Sequence, residues 1–391
     1  MDCFSRVHGW TALVVMAVFS ANASTWAAET FGYVSRKPQR YETQGPSLEQ
    51  EPGVNLYWHD PYLSSKESCR VWPAASNGYA PSWYGKTDML ALFREPKDDF
   101  IMTKLGPGGS NILGTRDFES EFDAGVRALL GMTCGDWYRL EVSYFGSYSW
   151  DDSAAVRNFD DNDQGGTGNL FSPFSDFGRP SGVVGLDYNN FASIRFNSRM
   201  HNGEFNVRRR VLMRPGSYEA SFLVGGRYLD IEERFDYLTQ STLPTPGGTS
   251  NSLSIGTSNQ LIGAQIGLLS QFLMQPRCWV DFEMKGGIFQ NDADLGRAYV
   301  VVDGEGTTQA TGRDSVDRTS FVGDLSLQFN YQFASCWTFY AGYNAMWVTG
   351  VALSGDNFEQ DTSTLLLGPT DVDHSGQILY HGPNIGLVLA Y

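Results

Sequence analysis

Asp281, Glu283 and Lys285 stand two residues apart, and the positions between and before them are Phe282, Met284 and Val280. Successive side chains of a β-strand point to opposite faces, so this spacing predicts three charges on one face and an apolar row on the other. The same parity places Arg127, Arg139, Glu141, Arg208, Arg210, Arg227 and Asp324 opposite apolar rows. These ten residues are the candidates for a charged, inward-facing lumen. In a narrow interior opposite charges must satisfy one another, because a buried charge without a partner is costly. They could therefore form a structural salt-bridge core, or line a narrow path for a small solute or an ion.

Two other clusters have residue types suited to chemistry. Asp371, Asp373 and His374, with His381 a few residues on, could pair a carboxylate with an imidazole to activate water. His59 and His201 follow no spacing rule that brings them to that cluster, and Gly-x-Ser-x-Gly is absent. No catalytic residue is assigned and no enzyme is expected. Asp160, Asp161 and Asp163 in "DDNDQGG" have the carboxylate density of a calcium loop, but Phe171 stands where a twelfth-position Glu is needed. A solvated acidic loop is the plainer reading, and neither a metal nor another cofactor is expected. A net charge of −16 argues against nucleic acid as a partner.

The elements that position these charges are strands. In "WYRLEVSYFGSYSW", Trp137 to Trp150, one row reads Tyr138, Leu140, Val142, Tyr144, Gly146, Tyr148, Trp150, and the other holds Arg139, Glu141 and serines. Similar alternation recurs around Val126, Val224, Ile266, Phe282, Leu327 and Tyr343. Large aromatics gather at the ends of the apolar rows, as they do where rings sit at the two interfaces of a bilayer. Tyr138, Trp150, Tyr228, Trp279, Trp337, Trp347 and the terminal Tyr391 are the expected girdle.

The first residues resemble an export leader: Arg6, an apolar run from Trp10 to Ala21, and Ala21-Asn22-Ala23 as a cleavage site, with a cut after Ala27 as the alternative. Residues 1–23 are thus read as a signal peptide and 24–80 as a periplasmic segment. No later run approaches the roughly 18 to 20 apolar residues of a spanning helix. Residues 81–391 are read as an all-β, transmembrane, antiparallel up-and-down barrel. Short connections near Cys134, Pro215, Pro276 and Ser335 alternate with long ones at about 94–117, 151–187, 238–258, 291–316 and 351–376. That gives ten strands with short periplasmic turns and long outer loops, or twelve if Phe100–Lys104 belongs to a further hairpin. Arg209 falls on the lipid-facing row of its strand, where snorkelling to the interface or a local bulge would accommodate it.

Of the four cysteines beyond the leader, Cys278 and Cys336 lie at one rim beside neighbouring strands. A Cys278–Cys336 disulfide would leave Cys69 for Cys134; free thiols are the equal alternative, and the spacings match no zinc site.

"GEFNVRRR" from Gly203, "LVGGRYLDIEE" from Leu223, "LIGAQIG" from Leu261 and "KGGIFQN" from Lys285 together resemble the planctomycete β-barrel porin family 7. The resemblance covers about 83–391 and implies the outer membrane, with little about substrate. The alternating end, Ile385, Leu387, Leu389, Tyr391, resembles the terminal strand recognised by the barrel-assembly machinery. The expected function is that of a porin-like outer-membrane barrel whose narrow charged lumen passes small solutes or ions. The alternatives are a non-conducting scaffold whose outer loops bind a partner or surface, and an outer-membrane enzyme with loop-borne residues. The expected partners are outer-membrane lipid, the assembly machinery, and small solutes or ions.

Overall fold

The structure, a computed structural model, describes residues 83–95, 99–118, 122–134, 137–158, 168–179, 186–214, 217–241, 248–360 and 370–390. The leader, the 24–80 segment with Cys69, the acidic triplet Asp160, Asp161 and Asp163, and Tyr391 lie outside the described residues. The strands are β1 (Trp83–Arg94), β2 (Ile101–Leu105), β3 (Ser110–Gly114), β4 (Asp123–Cys134), β5 (Tyr138–Arg157), β6 (Leu170–Phe171), β7 (Phe191–Arg214), β8 (Tyr218–Ser241), β9 (Thr249–Gln275), β10 (Cys278–Asp303), β11 (Gly306–Gln332), β12 (Trp337–Val351) and β13 (Gly376–Ala390).

Ten of them close a barrel in the order β1-β13-β12-β11-β10-β9-β8-β7-β5-β4. The ring shuts at β1, where Thr87 sits opposite both Leu387 of β13 and Ala128 of β4. Every neighbouring pair is antiparallel, and where all ten strands run together each is paired on both sides, which leaves no open edge at membrane depth; farther out, Gly306–Ser320 of β11 pairs with β10 alone. The segment around Phe100–Lys104 does not add strands to the ring. It forms β2, which joins β3 and β6 in a separate three-stranded sheet.

The outward faces show what medium the wall meets. On β10 the outward side chains from Val280 through Phe282, Met284 and Ile288 are apolar, and the next ones out are Gln290, Asp292 and Asp294. Ile288, Met274 and Ile262 are 68%, 66% and 61% exposed. Water would not tolerate a continuous band of such residues, and hydrocarbon does. Its height matches the roughly 9 to 11 residues with which a tilted strand crosses a bilayer.

Two outer connections are shorter than their sequence suggests. The expected loop 238–258 is mostly strand, with 242–248 between β8 and β9, and the expected loop 291–316 is a tight turn at Gly304 and Glu305 between β10 and β11. Beyond the hydrocarbon band the outer face meets water, and the inner row there mixes Asn251, Leu253, Ile255 and Thr257, all buried. Period two persists while the apolar contrast that reveals it is lost. The single extended strand expected from Tyr188 to Met213 is present as β7.

The bilayer row read from Tyr138 to Trp150 breaks part-way. Register shifts between Phe145 and Tyr148, so Tyr138, Val142 and Tyr144 face out while Phe145, Tyr148 and Trp150 are buried inside. A bulge inserts an extra residue and reverses the faces beyond it. Trp150 is therefore not a girdle residue.

Candidate functional site

The inner rows of the barrel bring the ten sequence-derived charged residues together with four acidic or basic residues that the sequence reading passed over. Nearest the short turns, Glu219 on β8 lies 3.2 Å from both Arg139 and Arg210. Above it, Glu141 accepts two hydrogen bonds from Arg208 at 3.0 Å each and one from the Tyr84 hydroxyl at 2.6 Å. Arg208 also donates to Glu283 at 2.7 Å. Glu204 accepts from Arg227, from Lys285 at 3.0 and 2.9 Å, and from the amides of Asn202, Asn206 and Gln265. Arg227 reaches Asp324 at 2.7 Å on its other side. Across the lumen, Asp88 takes a bidentate contact from Arg127 at 2.9 and 2.5 Å, and Asn384 at 2.7 Å.

Six cations (Arg127, Arg139, Arg208, Arg210, Arg227, Lys285) thus meet six carboxylates (Asp88, Glu141, Glu204, Glu219, Glu283, Asp324). Equal numbers let this interior be neutral without drawing ions into it. Two charged groups of the same interior stand apart from the pairing. Lys86 on β1 donates to Gln328 at 2.6 Å and lies 4.2 Å from the centre of the Tyr340 ring, and Asp281 accepts from Gln271 at 2.9 Å and Asn330 at 3.0 Å. Both line a cavity of about 140 Å³ together with Trp279, Arg139, Arg208 and Gln271. A second cavity, of about 80 Å³, shares Lys86, Arg208 and Glu283 with the first and extends to Leu90, Phe145 and Met346.

There the polar interior ends. Leu90, Leu92, Phe145, Tyr148, Trp150, Met200, Leu229, Ile231, Leu261, Phe289, Val322 and Tyr380 form one buried apolar cluster on the inner wall, reaching from β1 round to β13. Tyr148 stacks on Trp150 at 5.4 Å, and their polar atoms are used up on the backbone carbonyls of Leu90 and Leu92. Residues 352–354, just after β12, are drawn into the same layer. Asn259 clamps Ala352 through both its amide groups at 2.7 Å, and Ser354 donates its N–H to Glu233, which Arg94 neutralises at 2.6 Å. Farther out, Met102, Leu113, Leu170 and Phe174 pack onto inward Ile194, Phe235, Tyr237, Leu253 and Tyr299, and Tyr237 donates to the Met102 carbonyl at 2.8 Å. The small sheet of β2, β3 and β6 thereby fills the outer part of the barrel.

Tyr138, Tyr228, Trp337 and Trp347 lie exposed on the outside, where girdle residues belong. Trp279 does not: it is 3% exposed and faces the lumen, in phase with Asp281 and Glu283. Arg209 faces out beside a register shift between Arg210 and Leu212, its guanidinium 5.7 Å from the Tyr138 ring centre, so the bulge and the interfacial placement occur together. Among the described residues no disulfide forms: Cys134 and Cys278 are free thiols, and Cys69 lies outside the described residues. Register sets Cys278 opposite Tyr331, while the Cys336 backbone, beyond the turn, accepts from Ala390 of β13.

Among the described residues the histidines are not gathered into one group. His201 and His381 sit on the outer surface against Tyr144 at 2.8 Å and Tyr343 at 2.6 Å, and His374 contacts the Val372 carbonyl in the connection before β13. Among the described residues no three His, Cys, Asp or Glu side chains are grouped to hold a metal. Above the hydrocarbon band, Asp292 faces Asp317 across β10 and β11, and desolvation, then the like charges of Asp294 and Asp317, raise its carboxyl above the usual range.

The overlooked residues obeyed the parity already in hand. Glu204 is in phase with Arg208, Glu219 with Arg227, and Lys86 and Asp88 with the buried Leu90. The β1 pair was obscured because Thr87 and Gly85 make its lipid-facing row look polar.

The sequence matches, over residues 101–378, the family described as Putative beta barrel porin-7. No curated protein matches it. Among solved structures it is similar to the outer membrane protease OmpT from Escherichia coli, at 12% identity and a TM-score of 0.43, with 79% of this chain and 96% of that one covered. It is also similar to the toluene transporter TodX of P. putida, at 9% identity and a TM-score of 0.35, covering 79% and 90%.

Proposed function

This chain belongs to the beta barrel porin-7 family of outer-membrane barrels, and from that premise we propose that it is a closed barrel, a scaffold that does not conduct in its folded state and that carries an outer sheet to a partner or surface. The observation that supports this reading is the seal: an apolar layer on the inner wall from β1 round to β13, locked from above by residues 352–354. Opening such a layer would expose a dozen buried apolar side chains, each worth about 1.5 to 3 kcal/mol of burial, far beyond thermal fluctuation. Past the seal, β7 to β11 run on above the hydrocarbon as a stiff wall with polar side chains outward, a surface that partners could read.

Purified protein in a planar lipid bilayer should give a closed baseline. Steady conductance steps from protein that also keeps its heat-modifiable migration would overturn the closed reading. One observation favours a second reading, passage of small solutes or ions: the two cavities share Lys86, Arg208 and Glu283, and the second reaches Leu90 and Phe145 of the seal. Passage would need residues 352–354 to withdraw, so Asn259→Leu, which removes their clamp, should then raise the frequency of openings. No catalytic role is proposed. Export by the leader, and delivery of β13 to the barrel-assembly machinery through its outward Ile385, Leu387 and Leu389, complete the proposal.

A further inference from the structure

Among the described residues, the charges of the lumen below the apolar layer pair off six against six and leave Lys86 and Asp281, and both of these line the same cavity of about 140 Å³. They approach it from different walls, β1 and β10. The Gln328 side chain, which accepts from Lys86 and belongs to the residue directly opposite Asp281 in register, stands between them. Three further side chains of the lining are more than nine-tenths buried and hold a polar atom without a hydrogen-bond partner: Nη1 of Arg208, Nε1 of Trp279 and Oε1 of Gln271. Two of these atoms are donors and one is an acceptor. A buried polar atom left unsatisfied costs about 1 to 3 kcal/mol, so three such atoms beside two charges that lack an ionic partner mark a place built to be filled.

We propose that this cavity binds a small zwitterion, an α-amino acid with a short side chain. The ligand's ammonium group would sit against Asp281 and the Gln271 amide oxygen, and its carboxylate against Lys86, Arg208 Nη1 and the Trp279 indole N–H. A single anion or cation would satisfy one wall and leave the opposite charge unpaired, whereas a zwitterion answers both and keeps the interior neutral. Size agrees with this choice. The cavity is close to the roughly 150 Å³ that accepts a benzene ring, which suits a ligand of about seven non-hydrogen atoms such as serine. The Arg139 and Thr133 side chains on the lining lie near the short turns, so the site belongs to the periplasmic half of the lumen, below the seal. The inference goes beyond the closed-barrel reading and does not need it.

The test is isothermal titration of the full mature protein in detergent micelles with L-serine, and separately with acetate and with methylammonium. L-serine should bind saturably and each single-charge fragment at least tenfold more weakly. Asp281→Asn should weaken L-serine at least tenfold, and Lys86→Gln likewise. No saturable heat with L-serine from protein that migrates as folded, or acetate binding as tightly as L-serine, would overturn the proposal. Unchanged affinity in folded Asp281→Asn would do the same. If the variants do not fold, the comparison of the three ligands on the unaltered protein decides. Bilayer conductance measured on the same preparation reports on the seal alone, so failure of the closed reading and failure of this site are distinguishable.

Discussion

Glu204→Leu is the most informative single perturbation of the lumen. The Glu204 carboxylate is 6% exposed as a residue and accepts from Arg227, Lys285, Asn202, Asn206 and Gln265. Its loss falls unequally on its partners. Arg227 keeps Asp324 at 2.7 Å, while among the described residues Lys285 makes an ion pair with Glu204 alone. The variant therefore strands one buried ammonium, for which the expected loss of stability is about 3 to 5 kcal/mol. Glu283→Leu is the built-in control: Arg208 retains two bonds of 3.0 Å to Glu141, so about 1.5 to 3 kcal/mol is expected there. Urea unfolding in micelles, followed by tryptophan emission and extrapolated linearly, measures both. Adding Lys285→Met to Glu204→Leu should recover most of the loss, because the stranded charge is then gone. The reasoning is refuted if Glu204→Leu costs no more than Glu283→Leu, or if the double variant is no more stable than the single.

Brominated lipid should quench emission in the unaltered protein, and Trp347→Phe should remove part of the quenchable signal while Trp150→Phe leaves it whole, since Trp347, at 39% exposed, faces outward and Trp150, at 6%, faces the lumen. Cys134 and Cys278 should both react with a maleimide in denaturant without any reductant; protection of either would show a disulfide. Asp292→Asn should raise the unfolding midpoint slightly at about pH 8 and leave it unchanged at about pH 3. The folded-state carboxyl is raised by desolvation and by Asp294 and Asp317, so the penalty exists while it is ionised, above its folded value, and vanishes once it is protonated in both states. A larger effect in acid than at neutral pH would reverse the sign of that argument.

Much of this was legible residue by residue. Parity about Phe282 and Met284 alone puts Asp281, Glu283 and Lys285 inside, and alternating connection lengths lead to the ten strands that the ring contains. Trp279 shares the parity of Asp281 and so faces the lumen, and its place at a strand start does not make it a membrane anchor. Trp150 could not be placed by parity at all: a bulge between Phe145 and Tyr148 leaves no periodic trace in the chain. The strand extensions through 249–258 and 291–303 were hidden for a different reason, since alternation becomes visible only where one face meets hydrocarbon.

Alternation by itself determined which side of the wall each charge occupies, because a strand has only two faces and the bilayer admits no charge at its centre. Partnership was decided in three dimensions. That Lys285 meets Glu204 and not Glu283 two residues away, that Lys86 and Asp281 are left over, and that residues 352–354 shut the lumen all depend on how ten strands curve around one axis. Curvature brings together side chains up to 296 positions apart, as in Asn384 and Asp88, and no local period encodes it.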